Sequence, residues 1–146
     1  MKFFPKFTYL EEFDVLVHKV NLDYTINDIK WFILKVMKDG NFHSDMKVLI
    51  DLQSSTFIGK HEDIDGFIDW LIQRKISGFK TISFLTTNPQ QVVMVKIFTT
   101  NILFKHKNYE DFSTLESSIK HLGVNVSNYE LFKKVLNELT IPTLAN

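Results

Sequence analysis

The sequence predicts an α/β fold: a mixed sheet with an N-terminal β-hairpin, then a parallel β-α superhelix with helices mainly on one face, and an extra C-terminal helix. Three observations predict it. Short apolar runs bounded by polar loops alternate with segments whose apolar residues recur at helical spacing. Capping residues mark a helix start after most of those runs. The first two runs are separated only by a polar turn, whereas later ones are separated by helix-length segments, as parallel pairing requires.

Residues 6–10 and 14–20 read as two strands joined at Glu11-Glu12, a hairpin. In the first helix Thr25 is placed to cap, Asp28 falls in the first turn, and Ile29, Phe32, Ile33 and Val36 repeat on one face. Lys38 and Gly40 suit its end. Residues 47–52 form a short buried strand, and 61–75 a second helix with Ile64, Phe67, Ile68, Leu71 and Ile72 on one stripe. Its acidic first turn and basic last turn match the helix dipole. Residues 79–86 are the next strand, after which Asn88 caps a third helix with Pro89 in its first position. The last strand is predicted at 102–106. Ser113-Thr114-Leu115-Glu116 and Ser127-Asn128-Tyr129-Glu130 read as capping boxes opening the fourth and fifth helices, the fifth ending before Pro142.

Two patterns refine this reading. Ile82 and Phe84 alternate with Ser83, and Ile102 and Phe104 with Lys105, so one sheet face is expected to be partly wet. The third helix is apolar all round: Val92, Val93, Met94, Val95, Ile97 and Phe98 point in nearly every direction, with Lys96 its one charge. Such a helix is expected to be buried on all sides, by the C-terminal helix or by a second subunit. A homodimer contact through Val93, Met94, Ile97 and Phe98 is the expectation.

Composition narrows the function classes. At 146 residues the chain is about one domain long, residues 1–146, with a shared core at about 7–123 and a helical extension at 124–146. Seventeen basic and seventeen acidic residues cancel, so no net field attracts nucleic acid or an anionic membrane surface. With no cysteine there is no disulfide, thiolate metal site or thiol nucleophile. The first fourteen residues do not read as a signal peptide, and no apolar run approaches the ~20 residues that span a bilayer. A cytoplasmic protein without membrane insertion is expected. Fourteen phenylalanines against 5 glycines and 3 prolines imply either an aromatic core or apolar surface kept for a partner or ligand.

The strand Val48-Leu49-Ile50-Asp51-Leu52 running into a loop and helix, together with Thr87-Asn88-Pro89, Phe112-Ser113-Thr114-Leu115-Glu116 and His121-Leu122-Gly123, resembles the STAS domain of sulfate transporters and anti-anti-sigma factors. The likeness is greater to short, uncharacterised bacterial STAS-like (SpoIIAA-like) proteins, and it spans roughly residues 7–123. The resemblance implies a β-α superhelix and a regulatory, protein-binding role. In the anti-anti-sigma members a serine at the start of the second helix is phosphorylated. The same interval from Asp51-Leu52 lands on Gly59-Lys60-His61-Glu62, so Lys60 stands in that serine's place. The serine switch is not expected here.

Other constellations are weak. Ser54, Ser55, Thr56, Thr87 and Asn88 would gather outside the carboxyl ends of the strands, a place for a polar ligand or partner, although such residues also satisfy loop backbone. His61, Glu62, Asp63 and Asp65 splay at a helix start rather than converge on a metal. His18, His43, His106 and His121 are scattered. Glu11-Glu12 and Glu110-Asp111 fall in predicted turns. No nucleophile elbow, phosphate loop or dinucleotide fingerprint is present. No catalytic residue, cofactor or metal is predicted. Two functions remain: a non-enzymatic interaction module, dimeric or bound to an unidentified regulatory protein, or a carrier holding a small apolar ligand or lipid in a Phe-rich cavity, as related folds do.

Overall fold

A computed structural model of the chain describes residues 6–140; the predicted stop at Pro142 lies outside them. Strands β1 (Lys6–Leu10) and β2 (Val15–Lys19) form the hairpin, joined by a single 3-10 turn at Glu11–Phe13 that Asp14 closes in the left-handed region. Then come α1 (Ile26–Met37), β3 (Lys47–Asp51), α2 (His61–Gln73), β4 (Thr81–Leu85), α3 (Pro89–Thr99), β5 (Asn108–Phe112), α4 (Leu115–His121) and α5 (Tyr129–Leu139). The sheet order is β1-β2-β3-β4-β5, antiparallel between β1 and β2 and parallel thereafter. The fold class is as predicted.

This unreversed order has a geometric consequence. Right-handed crossovers that always step in the same direction place their helices on the same side of the sheet. So α1, α2 and α3 share one face, packed over Leu16, Val20, Val48, Ile82 and Phe84. After β5 the chain turns back, and α4 and α5 cover the opposite face over Val15, Val17, Leu49 and Leu85. That second face is therefore not partly wet. Ser83, the polar member of the β4 alternation, is fully buried and donates to the Ser118 carbonyl of α4 at 2.8 Å.

Three further expectations are corrected. Residues 102–104 form a 3-10 turn opened by Asn101, and Ile102 is 84% exposed. The fifth strand is the polar stretch Asn108–Phe112, so Glu110 and Asp111 lie in a strand, not a turn. An edge strand shows much of its length to water and needs no apolar run. Second, α4 is capped by Thr114, and α5 is entered through a 3-10 turn at Val126–Asn128 that Asn125 caps. Third, α3 is not covered all round by its own chain, and the C-terminal helix does not pack on it. Instead α3 packs on α2 and β5, while α5 packs on β2 across the sheet. Its most buried residue is the polar Gln91, and Val93 is 52% exposed.

Candidate functional site: an apolar cavity beneath three helices

Side chains of the β2, β3 and β4 row His18, Ile50 and Phe84 are paired in register and point to the α1–α3 face. Between that floor and the helices lies a cavity of about 300 Å³. Ile29, Phe32 and Ile33 of α1, Ile64, Phe67 and Leu71 of α2, and Met94, Val95 and Phe98 of α3 enclose it. Ile50 sits in the central strand with neighbours on both sides, yet it stays partly exposed. The helices do not fill the space above it.

One end is sealed by a buried polar network. The Tyr24 hydroxyl donates to Gln91 Oε1 at 2.7 Å, and Gln91 Nε2 donates to the Ser55 carbonyl at 2.7 Å and to its Oγ at 3.2 Å. Gln90 Nε2 reaches the Phe57 carbonyl at 3.0 Å. Tyr24 also bridges to Phe57 through backbone pairing. The first turn of α3 is thereby fastened to the β3–α2 loop, with Tyr24 and Phe57 closing the cavity at the carboxyl ends of the strands. A second aromatic group stiffens the far side: Phe98 packs on Phe67, Phe84, Phe104 and Tyr109 at centroid distances of 4.6–6.3 Å. The Tyr109 hydroxyl donates to the Phe79 carbonyl beside Gly78, where φ is +80° and any Cβ would meet that hydroxyl.

The polar groups at the sealed end and beside the aromatic wall are thus engaged with the protein itself. Burial raises the Tyr24 and Tyr109 hydroxyls above their ordinary pKa. His18 stacks on Phe32 at 3.9 Å, with Nδ1 placed 2.8 Å from the Lys6 carbonyl. Burial lowers its pKa to about 4, the carbonyl contact opposing in part, so the imidazole is neutral at pH 7.

The residues singled out from sequence fall into distinct places. Ser55 is buried in the sealing network, Thr56 accepts from the Tyr24 N–H, and Asn88 caps α3 by accepting from the Gln90 N–H at 2.8 Å. Ser54 and Thr87 are exposed. Met94 and Phe98 line the cavity, Ile97 packs on the same core, and Val93 faces outward. Lys60 is the N-cap residue of α2, and its N–H donates to Asp63 Oδ2 at 2.7 Å. Among the described residues no three His, Asp or Glu side chains converge on a metal-sized site, and no helix is long and apolar enough to cross a membrane. Sequence reading missed Tyr24, Ile50, Phe57 and Gln91. Gln91 carried one available signal, an uncharged amide at the start of a largely apolar helix.

A second hollow of about 480 Å³ lies on the other face, beside Lys19, Asp51, Glu116, Tyr129 and Lys133. Its buried charges neutralise one another, Lys19 Nζ standing 3.0 Å from Asp51 Oδ2. The sheet order never reverses, so the switch-point crevice that holds ligands in doubly wound folds does not form here. The enclosed apolar space is instead under the crossover helices.

No family model and no curated protein matches the sequence. Among solved structures the chain is similar to an uncharacterised protein of the DUF3478 family with a SpoIIAA-like fold, from Shewanella loihica PV-4. The TM-score is 0.53 at 15% identity, over 82% of this chain and 93% of that one. The fold is SpoIIAA-like.

Proposed function

From a SpoIIAA-like fold built over an apolar chamber, we propose that this protein is a non-enzymatic module that binds a small apolar ligand beneath α1–α3. The observation that carries this reading is the incompletely buried Ile50 on the floor of a cavity of about 300 Å³. A central strand under a filled core has no reason to leave an inward-facing isoleucine partly exposed. The volume stands at the lower end of small-molecule sites and is about ten times the ~30 Å³ share of one water. Left empty, a space of this size forfeits on the order of 7 kcal/mol of packing, comparable with the whole stability of a small domain. An apolar occupant recovers much of that.

The test combines a ligand and a variant. Decanol titrated into the protein should bind measurably by calorimetry and raise the melting temperature. Ile50→Phe should fill part of the chamber, raise the melting temperature without ligand, and weaken decanol binding. If decanol does not bind and Ile50→Phe destabilises as an overpacked core would, the chamber is closed in solution and the reading fails.

A second reading, a dimer or a bound regulatory protein, is supported by the exposed apolar side chains Val93 and Ile102. It uses the outer side of α3 and leaves Met94, Ile97 and Phe98 to the core. Light scattering over a dilution series, comparing the wild type with Val93→Asp, tests it: a monomer throughout leaves only a foreign partner.

A further inference from the structure

Of the residues that line the chamber, only Met37, Ser44, Lys75 and Ser77 are exposed. They come from the end of α1 and from the segments leading into β3 and β4. The chamber therefore opens at the amino edge of the sheet, opposite the end sealed by Tyr24, Gln91 and Ser55. Its mouth holds one cation and two hydroxyls, while its interior is apolar. That polarity gradient is the shape of an amphiphile.

Lys75 occupies an unusual backbone position. It lies just past α2 with a left-handed φ of 56°. Its N–H donates to the Ile72 carbonyl and that of Ile76 to the Leu71 carbonyl, at 3.0 and 2.9 Å. This two-bond helix stop is ordinarily glycine's place, because a Cβ disfavours the conformation. A cation does suit the carbonyl end of a helix, but Arg74 already stands there, over the Trp70 ring. Among the described residues no carboxylate pairs with Lys75. An unpaired ammonium is thus held at the mouth in a conformation a different residue would adopt more readily.

We propose that the chamber's occupant is a single-chain carboxylate of medium length, its hydrocarbon under α1–α3 and its head at the mouth against Lys75, with Ser44 and Ser77 as further donors. This rests on the ligand reading above and adds the chemistry of the head group. The neutral alcohol of the same chain should occupy the interior without using Lys75.

The experiment is a calorimetric titration of decanoate, below its micellar concentration, and of decanol into wild type, Lys75→Gly and Lys75→Gln. Lys75→Gly should melt at the same temperature as wild type or higher, since glycine suits the left-handed position. Both variants should bind decanoate about two- to fivefold more weakly, the worth of an exposed ion pair, and decanol unchanged. The decanoate difference should shrink at high salt. Within the chamber's length, each added methylene should tighten binding about fourfold in both series. Decanoate binding that is unaffected in both variants, or decanoate and decanol weakened alike, overturns the head-group assignment while the chamber stands. Failure of both ligands to bind wild type removes the ligand reading itself.

Discussion

His18 is the residue at which sheet, helix and cavity meet. It pairs with Ile50 in register, stacks on Phe32 of α1, and lines the chamber. Because its partner atom is the Lys6 carbonyl, which only accepts, Nδ1 carries the proton of the neutral ring. Burial holds its folded pKa at about 4, against an ordinary value of 6.5. The unfolded chain therefore binds the extra proton first as pH falls, and stability present above pH 6.5 is lost on acidification toward pH 4. The loss should be ~2 kcal/mol between pH 7 and pH 5 and ~3 kcal/mol by pH 4. Urea denaturation at a series of pH values measures it. His18→Gln should flatten the profile in this window; an unchanged slope would assign it to other groups.

At the scale of elements, α3 joins two functions. Its first turn fastens the sealed end of the chamber through Gln91, and its last turn supplies Phe98 to the aromatic wall. Gln91→Leu preserves size but leaves the Ser55 carbonyl and the Tyr24 hydroxyl without this partner. Each buried polar group so stranded costs ~1–3 kcal/mol, and a loss of ~2–4 kcal/mol is expected in denaturant unfolding. Val93→Asp, on the exposed side, should change stability by no more than ~0.5 kcal/mol. If Gln91→Leu proves as mild as Val93→Asp, the network does not hold the loop. The same element shows where local pattern stops informing. An apolar helix reads as buried everywhere, but α3 puts its apolar mass toward a cavity and shared aromatics, and hides its amide in the tightest place. The β5 region fails in the complementary way. Ile102, Leu103 and Phe104 look like a strand by composition, whereas the actual strand Asn108–Phe112 is recognisable only from its pairing with β4.

At the scale of the molecule, the sheet has two cores of unlike kind. The α4–α5 side is closed by Ile119, Leu122, Phe132 and Leu136 over Val15, Val17 and Leu49, with Asn21 also donating to the Leu139 carbonyl at 3.0 Å. The α1–α3 side keeps a chamber. Removing the chain beyond Gly123 would strip Phe132, Val135 and Leu136 from the first of these and leave the apolar face of β2 open. We expect the truncated protein to lose cooperative unfolding in a circular dichroism melt and to elute as aggregate in size-exclusion chromatography. A monomeric, cooperatively folding fragment would show that the C-terminal helix is dispensable to the fold.

Order and type of most elements were determined by the sequence alone, because periodicity and caps are local: Thr25 and Asp28 form their capping box, Asn88 caps α3, and Lys47–Asp51 is a buried central strand. The SpoIIAA-like fold was legible from the resemblance carried by the motifs at residues 48–52, 87–89, 112–116 and 121–123, and the phenylalanine count already allowed for a cavity. Where that cavity lies, which end is sealed and which residues stand at its exposed end were decided only in three dimensions. Whether three helices fill the space over Ile50 depends on side chains brought together from α1, α2 and α3, and no stretch of chain contains that sum. A left-handed lysine after α2 is likewise invisible in a string of letters, because φ is set by the turn the tertiary structure imposes.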